Sequence, residues 1–120
     1  MNSLFRISLK ILLFFGVIMT TSSEEAIAND AFEKIKNGAI LIDVRTVEEY
    51  NEGNLKNSIL IPYDTIQDQI ASVTNNLDQE IVLYCRSGIR SGKARDTLKE
   101  IGYKNVLNAG GYKDLKKVFE

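Results

Sequence analysis

The sequence predicts a single α/β domain with a mainly parallel central sheet flanked by helices on both faces. Three observations lead there. Short, apolar, β-branched runs of strand length recur along the chain, amphipathic or capped segments separate them, and no repeat, low-complexity tract or linker interrupts the alternation. Strands that are apolar on both sides need cover on both faces, which parallel strands joined by crossover helices provide. A length of 120 residues leaves room for one such unit.

The elements follow in order. Asp30 to Asn37 reads as a short helix stopped at Gly38, and Ala39 to Val44 is a near-continuous apolar run of strand length. Thr46-Val47-Glu48-Glu49 fits the S/T-x-x-E capping box, so a short helix is expected up to about Gly53. Ser58 to Ile61 is a second strand, ended by Pro62. Asp64 is placed to cap a helix in which Ile66, Ile70 and Val73 recur at helical spacing, and Ile81 to Tyr84 is a third buried strand. A helix from about Ser91 to Ile101 closes at Gly102, Asn105 to Leu107 is a last short strand, and Tyr112 to Phe119 is a closing helix.

Composition narrows the chemistry. Fifteen Lys and Arg face 16 Asp and Glu, a net charge of −1, so the chain lacks the electrostatic footprint of a nucleic-acid or anionic-membrane binder. It has one cysteine and no histidine. A Cys/His zinc site, a Cys-His or Ser-His-Asp catalytic group and an internal disulfide are all excluded on those counts. No metal or cofactor is expected.

The first residues read as an address. Arg6 and Lys10 precede the apolar run Ile11 to Met19, which leads through a polar stretch to Ala26-Ile27-Ala28. This is the plan of a secretory signal peptide. The uncharged run Ile11 to Ser23 is shorter than the roughly 20 residues that cross a bilayer core. Residues 1–28 are therefore expected to be a signal peptide and 29–120 the domain, exported and periplasmic, without stable membrane association after cleavage. A monomer is expected, since no coiled-coil heptad or long apolar helix is evident.

The sole cysteine, Cys85, follows the third strand and precedes a helix, at the sheet end where open α/β folds place their sites. Cys85-Arg86-Ser87-Gly88-Ile89-Arg90 holds the parts of a thiolate site. Gly88 permits a positive φ so that amides converge, and two arginines add positive charge for an anionic sulfur or oxyanion substrate. On position alone Cys85 reads equally well as a small hydrophobe ending a core strand; the two arginines and the glycine argue against that reading. Gly92 reads as a packing position under the helix rather than a phosphate-binding glycine.

Cys85 to Ser91 resembles the active-site loop of rhodanese-type sulfurtransferases. Asp43-Val44-Arg45 with Glu49-Tyr50, Gly53 and Ile61-Pro62 resembles that family's upstream segment, and Asn108-Ala109-Gly110-Gly111-Tyr112-Lys113-Asp114-Leu115 is a third match. Size and leader are most similar to the small periplasmic thiosulfate sulfurtransferases of that family. The resemblance implies a thiosulfate sulfurtransferase in which Cys85 takes the outer sulfur of a small anionic donor as a persulfide and passes it to a thiol or cyanide acceptor. It implies that Arg86, Ser87, Gly88, Ile89, Arg90 and Ser91 hold the persulfide and donor, with Arg90 or Arg86 neutralising the anion. Asp43 and Arg45 are expected to form a buried pair, with Glu49 as a possible third member, and Gly110-Gly111 to turn tightly beside the loop. Two positions depart from the family: Asn54 stands where histidine is common, and Leu115 where tryptophan is common.

Other readings stay open at this point. A non-catalytic sulfur-carrier or interaction module would keep the same fold. A Cdc25-like phosphatase or arsenate reductase would need C-x5-R where this chain has C-x4-R, and no general acid is evident. Disulfide exchange lacks a resolving cysteine within the chain.

Overall fold

The computed structural model describes residues 22–120, so the expected leader up to residue 21 lies outside the described residues. The described chain folds as α1 (Ser23–Lys36), β1 (Ile40–Asp43), α2 (Val47–Glu52), β2 (Ile59–Leu60), α3 (Ile66–Val73), β3 (Glu80–Cys85), α4 (Ile89–Glu100), β4 (Asn105–Gly111) and α5 (Tyr112–Phe119). The four strands form one sheet in the order β2-β1-β3-β4, and every neighbouring pair is parallel.

Strand alternation sends neighbouring residues of β3 to opposite faces, and both faces are dry. Ile81, Leu83 and Cys85 join Ile66 and Ile70 of α3 and Ala94 and Leu98 of α4 in one core. Val82 and Tyr84 join Ala28 and Ala31 of α1 and Leu115 of α5 in the other. This explains why Ile81 to Tyr84 reads as an unbroken apolar run. Burial of each Ile or Leu there contributes about 1.5–3 kcal/mol.

Most expected elements are present, with three differences. First, α1 starts at Ser23, and Asn29, the expected first residue of the domain, lies inside it. The Ser22 side chain accepts the Glu25 N–H at 3.2 Å, Glu24 and Glu25 sit favourably in the first turn, and Ala28 is fully buried. Second, Asp64 does not cap α3: Thr65 holds that position, its hydroxyl turned to the Pro62 carbonyl at 3.2 Å. Third, β4 runs on to Gly111, four residues past the expected end. Asn, Ala and Gly are poor strand formers, and pairing with β3 overrides that preference.

The chain passes from β1 to β2 on one side of the sheet, then returns to place β3 on the other side of β1. The strand order thus reverses between β1 and β3. Asp43 and Cys85 end these two strands, with Asp43 opposite Tyr84. A crevice beyond the carboxyl ends at such a switch point is where α/β folds bind ligands.

Candidate active site

Cys85 is the last residue of β3, and only Arg86, Ser87 and Gly88 separate it from α4. That short connection aims the start of the helix at the sulfur. Gly88 takes φ +100°, and a Cβ there would sit 3.3 Å from the Gly110 Cα, so conformation and space both call for glycine. In this conformation the Gly88 N–H donates to Cys85 Sγ at 3.0 Å, while the Ser91 hydroxyl lies 3.3 Å from the same sulfur. Burial pushes the Cys85 thiol up. The Ser91 hydroxyl and the amides of Ser91, Gly88 and Ser87 outweigh that and leave it below its ordinary value. These contacts stabilise the thiolate form of Cys85 without a histidine base.

The two loop arginines have different surroundings. Arg90 is closed by Glu49, with Nη1 and Nη2 donating to the two carboxylate oxygens at 2.6 and 2.9 Å. This pair holds Glu49 down at about 2, against the opposing effect of burial, and the Thr46 backbone and hydroxyl assist. Glu49 also completes the capping box on Thr46, so one carboxylate starts α2 and anchors α4. Arg86 is exposed and has no ion-pair partner among the described residues. It lines a cleft of about 530 Å³ together with Ser87, Glu52, Tyr112 and Lys113.

Asp43 and Arg45 form a buried pair. Arg45 Nη2 donates to Asp43 Oδ2 at 2.7 Å and to the Gly53 carbonyl at 2.6 Å, and its Nε reaches both carboxylate oxygens. Its guanidinium lies over the Tyr112 ring, 4.5 Å from the centroid. Burial alone would lower the Arg45 pKa; the hydrogen bond and charge of Asp43 more than reverse this. The third member expected here, Glu49, is bonded to Arg90 instead. Helix α2 sets that carboxylate against Arg90 of α4, and it reaches Arg45 through its charge without a hydrogen bond.

Gly111 lies opposite Cys85 where the β3–β4 register shifts, and a Cβ on it would meet the Arg86 carbonyl at 2.7 Å. Gly110 takes φ +90°. These two glycines let β4 run against the loop. Gly92 packs against Asn108, whose Nδ2 is 3.3 Å from where a Cβ would stand. Ile89 is 68% exposed at the start of α4 and contributes no side chain to the sulfur. Asn54 bonds back to the Tyr50 carbonyl at 3.0 Å, and Leu115 fills the core between α1 and the sheet. Sequence reasoning assigned no role to Asn108, Glu52, Tyr112 or Lys113, which the fold gathers here from separate elements.

The sequence profile of the Rhodanese-like domain matches residues 27–117. The chain belongs to the rhodanese-like family. This rhodanese-like domain is 38% identical over 74 residues to thiosulfate sulfurtransferase PspE of Escherichia coli, a match spanning 62% of this chain and 71% of that protein. It is 37% identical over 89 residues to the tRNA uridine(34) hydroxylase of Hamiltonella defensa, spanning 70% of this chain and 25% of that longer protein. Among solved structures, an E. coli rhodanese with anions superposes with a TM-score of 0.62 at 36% identity, over 64% of this chain and 91% of that one.

Proposed function

We propose that this rhodanese-like domain is a thiosulfate sulfurtransferase working through a Cys85 persulfide. The observation that carries the reading is the placement of Cys85 Sγ between the Gly88 N–H and the Ser91 hydroxyl, at the end of β3, beside a cleft that presents Arg86. The Cys85 thiolate attacks the outer sulfur of the donor. A new S–S bond forms, the S–S bond of thiosulfate breaks, and its electron pair leaves with sulfite. A thiolate or cyanide acceptor then attacks the outer sulfur of the persulfide and returns Cys85 as thiolate.

Of the two arginines that follow Cys85, Arg86 is the one open to the anionic donor and the departing sulfite, because Arg90 is already neutralised by Glu49. Cys85 is fully buried next to the exposed loop residues Arg86 and Ser87. That burial keeps water from the persulfide between half-reactions. The anions held by the similar E. coli rhodanese and the sulfurtransferase activity in the name of PspE support the donor class. Identity to a quarter of a tRNA hydroxylase does not carry that whole protein's activity to this chain. The leader composition supports export to the periplasm.

The test is the intact mass of the reduced protein before and after thiosulfate, then after cyanide. One cysteine per chain makes the result unambiguous. A gain of one sulfur, removed by cyanide as thiocyanate, is expected. No gain, with Cys85 still open to a thiol reagent, overturns the thiosulfate reading. Sulfur loading without turnover favours a carrier over an enzyme.

A further inference from the structure

The side chain of Asn108 on β4 reaches three groups of the loop region at once. Its Oδ1 accepts the Gly110 N–H at 3.0 Å, and its Nδ2 donates to the Gly88 carbonyl at 2.9 Å. The first partner only donates and the second only accepts, so the orientation of the amide is decided. Oδ1 must then face the Ser91 hydroxyl, 2.7 Å away, as an acceptor. Ser91 is fully buried and carries one hydroxyl proton, yet its oxygen lies within reach of both Asn108 Oδ1 and Cys85 Sγ. It donates to one at a time.

We propose that Asn108 is a positioning residue for Cys85, acting by holding the Ser91 proton whenever the inner sulfur carries no charge. With Cys85 as a thiol or as the inner sulfur of a persulfide, Ser91 donates to Asn108 Oδ1. When Cys85 Sγ becomes a thiolate, the hydroxyl turns to the sulfur, and Asn108 Oδ1 keeps the Gly110 N–H. The toggle makes and breaks hydrogen bonds only; no proton changes owner. It rests on the persulfide reading for its place in the cycle. There it steadies the inner sulfur as a leaving group when the acceptor attacks, then releases it when the next sulfur is bound. The hydroxyl contributes to the lowering of the Cys85 pKa.

The charged groups nearest Cys85 in the fold are Arg90, paired with Glu49 of α2 and coupled to the sulfur by charge, Arg86 beside it in the loop, and the Asp43–Arg45 pair at the end of β1. None of them is altered by changing Ser91 or Asn108, so a double-mutant cycle isolates the toggle. The readout is the thiol pKa, from the pH dependence of iodoacetamide alkylation of wild type, Asn108→Ala, Ser91→Ala and the double variant. Loss of the Asn108 acceptor frees the Ser91 proton for sulfur and lowers the pKa by roughly half a unit to one unit, the equivalent of one neutral hydrogen bond. Ser91→Ala raises it. In the Ser91→Ala background, Asn108→Ala no longer lowers it, and any residual shift is smaller and comes from the lost bond to the Gly88 carbonyl.

An equal shift in both backgrounds, or a rise on Asn108→Ala with Ser91 present, overturns the toggle. Asn108→Leu, closer in volume, repeats the cycle should the alanine variant melt early, and the same two outcomes decide. The alkylation assay uses no sulfur donor. It therefore reads the toggle even where thiosulfate fails to load Cys85.

Discussion

Arg90 and Glu49 stand 41 residues apart in sequence, and the guanidinium of one closes on both carboxylate oxygens of the other at 2.6 and 2.9 Å. The pair fastens the start of α4 to the start of α2 on either side of the crevice. It also neutralises the charge of Arg90, and under the proposed function the anionic donor falls to Arg86.

Substitution of the two arginines separates these roles. Arg86→Ala is expected to raise KM for thiosulfate about tenfold, in line with the loss of one charge-assisted hydrogen bond of roughly 1.5 kcal/mol, with Tm unchanged. Arg90→Ala is expected to cost about 0.5–1 kcal/mol of stability, as a part-exposed bidentate pair allows. Steady-state kinetics and thermal melts on both variants check this; equal KM effects would show that Arg90 meets the donor too.

The same pair predicts an acid-sensitive component of stability. Glu49 lies at about 2 in the folded chain against an ordinary 4.5. A carboxylate held down in this way stabilises the fold fully above pH 4.5, and the contribution is lost as pH falls from 4.5 toward 2. Melting temperatures of wild type and Glu49→Gln are expected to differ at pH 7 and to converge across that window. A gap undiminished between pH 7 and pH 2 would exclude the ion pair as its source.

Cys85→Ser is expected to abolish sulfur transfer and leave the fold intact. The hydroxyl fits the fully buried site and still accepts from the Gly88 N–H, but it does not ionise near neutral pH. Thiosulfate–cyanide turnover should fall to background, with stability within about 1–2 kcal/mol of wild type. Retained turnover would refute the persulfide mechanism.

The wild-type thiol is expected to show a half-maximal alkylation rate below the ordinary value of 9.0, because hydrogen bonds to sulfur outweigh its burial. A midpoint at or above 9.0 would place Cys85 as an inert core residue.

The proposed export makes a fifth prediction. A cut after Ala28 would divide α1, remove the Ser22 cap and discard a buried alanine, while Phe32 would keep its edge contact with Phe119 at 5.4 Å on a shortened helix. Loss of the cap alone costs about 1 kcal/mol. The mature protein is expected to begin at or before Ser22, read by intact mass of the periplasmic fraction. A product beginning at Asn29 would show that the first turns of α1 are dispensable.

Local pattern by itself determined much of this protein. Apolar, β-branched runs of strand length set β1 and β3, the Thr46–Glu49 spacing set the start of α2, and the place of Cys85 between a strand and a helix was legible from the order of these segments. Each depends on neighbours within a turn or a strand, which is the range over which sequence speaks. The start of α1 was hidden because a capped, acidic first turn follows directly on a leader-like apolar run. The extent of β4 was hidden because pairing with β3, rather than its own residues, holds it straight.

Tertiary structure alone decided which carboxylate answers which arginine. Asp43 and Arg45 are two residues apart, and a strand end brings them together locally. Glu49 reaches Arg90 only because α2 and α4 flank the same crevice. Asn108 meets Ser91 for the same reason: the β4–β3 register sets an amide from one strand beside a hydroxyl from the next helix, 17 residues earlier in the chain. Charge and hydrogen-bonding partners are chosen by distance in the folded state, and a distance between separate elements is not written in either segment.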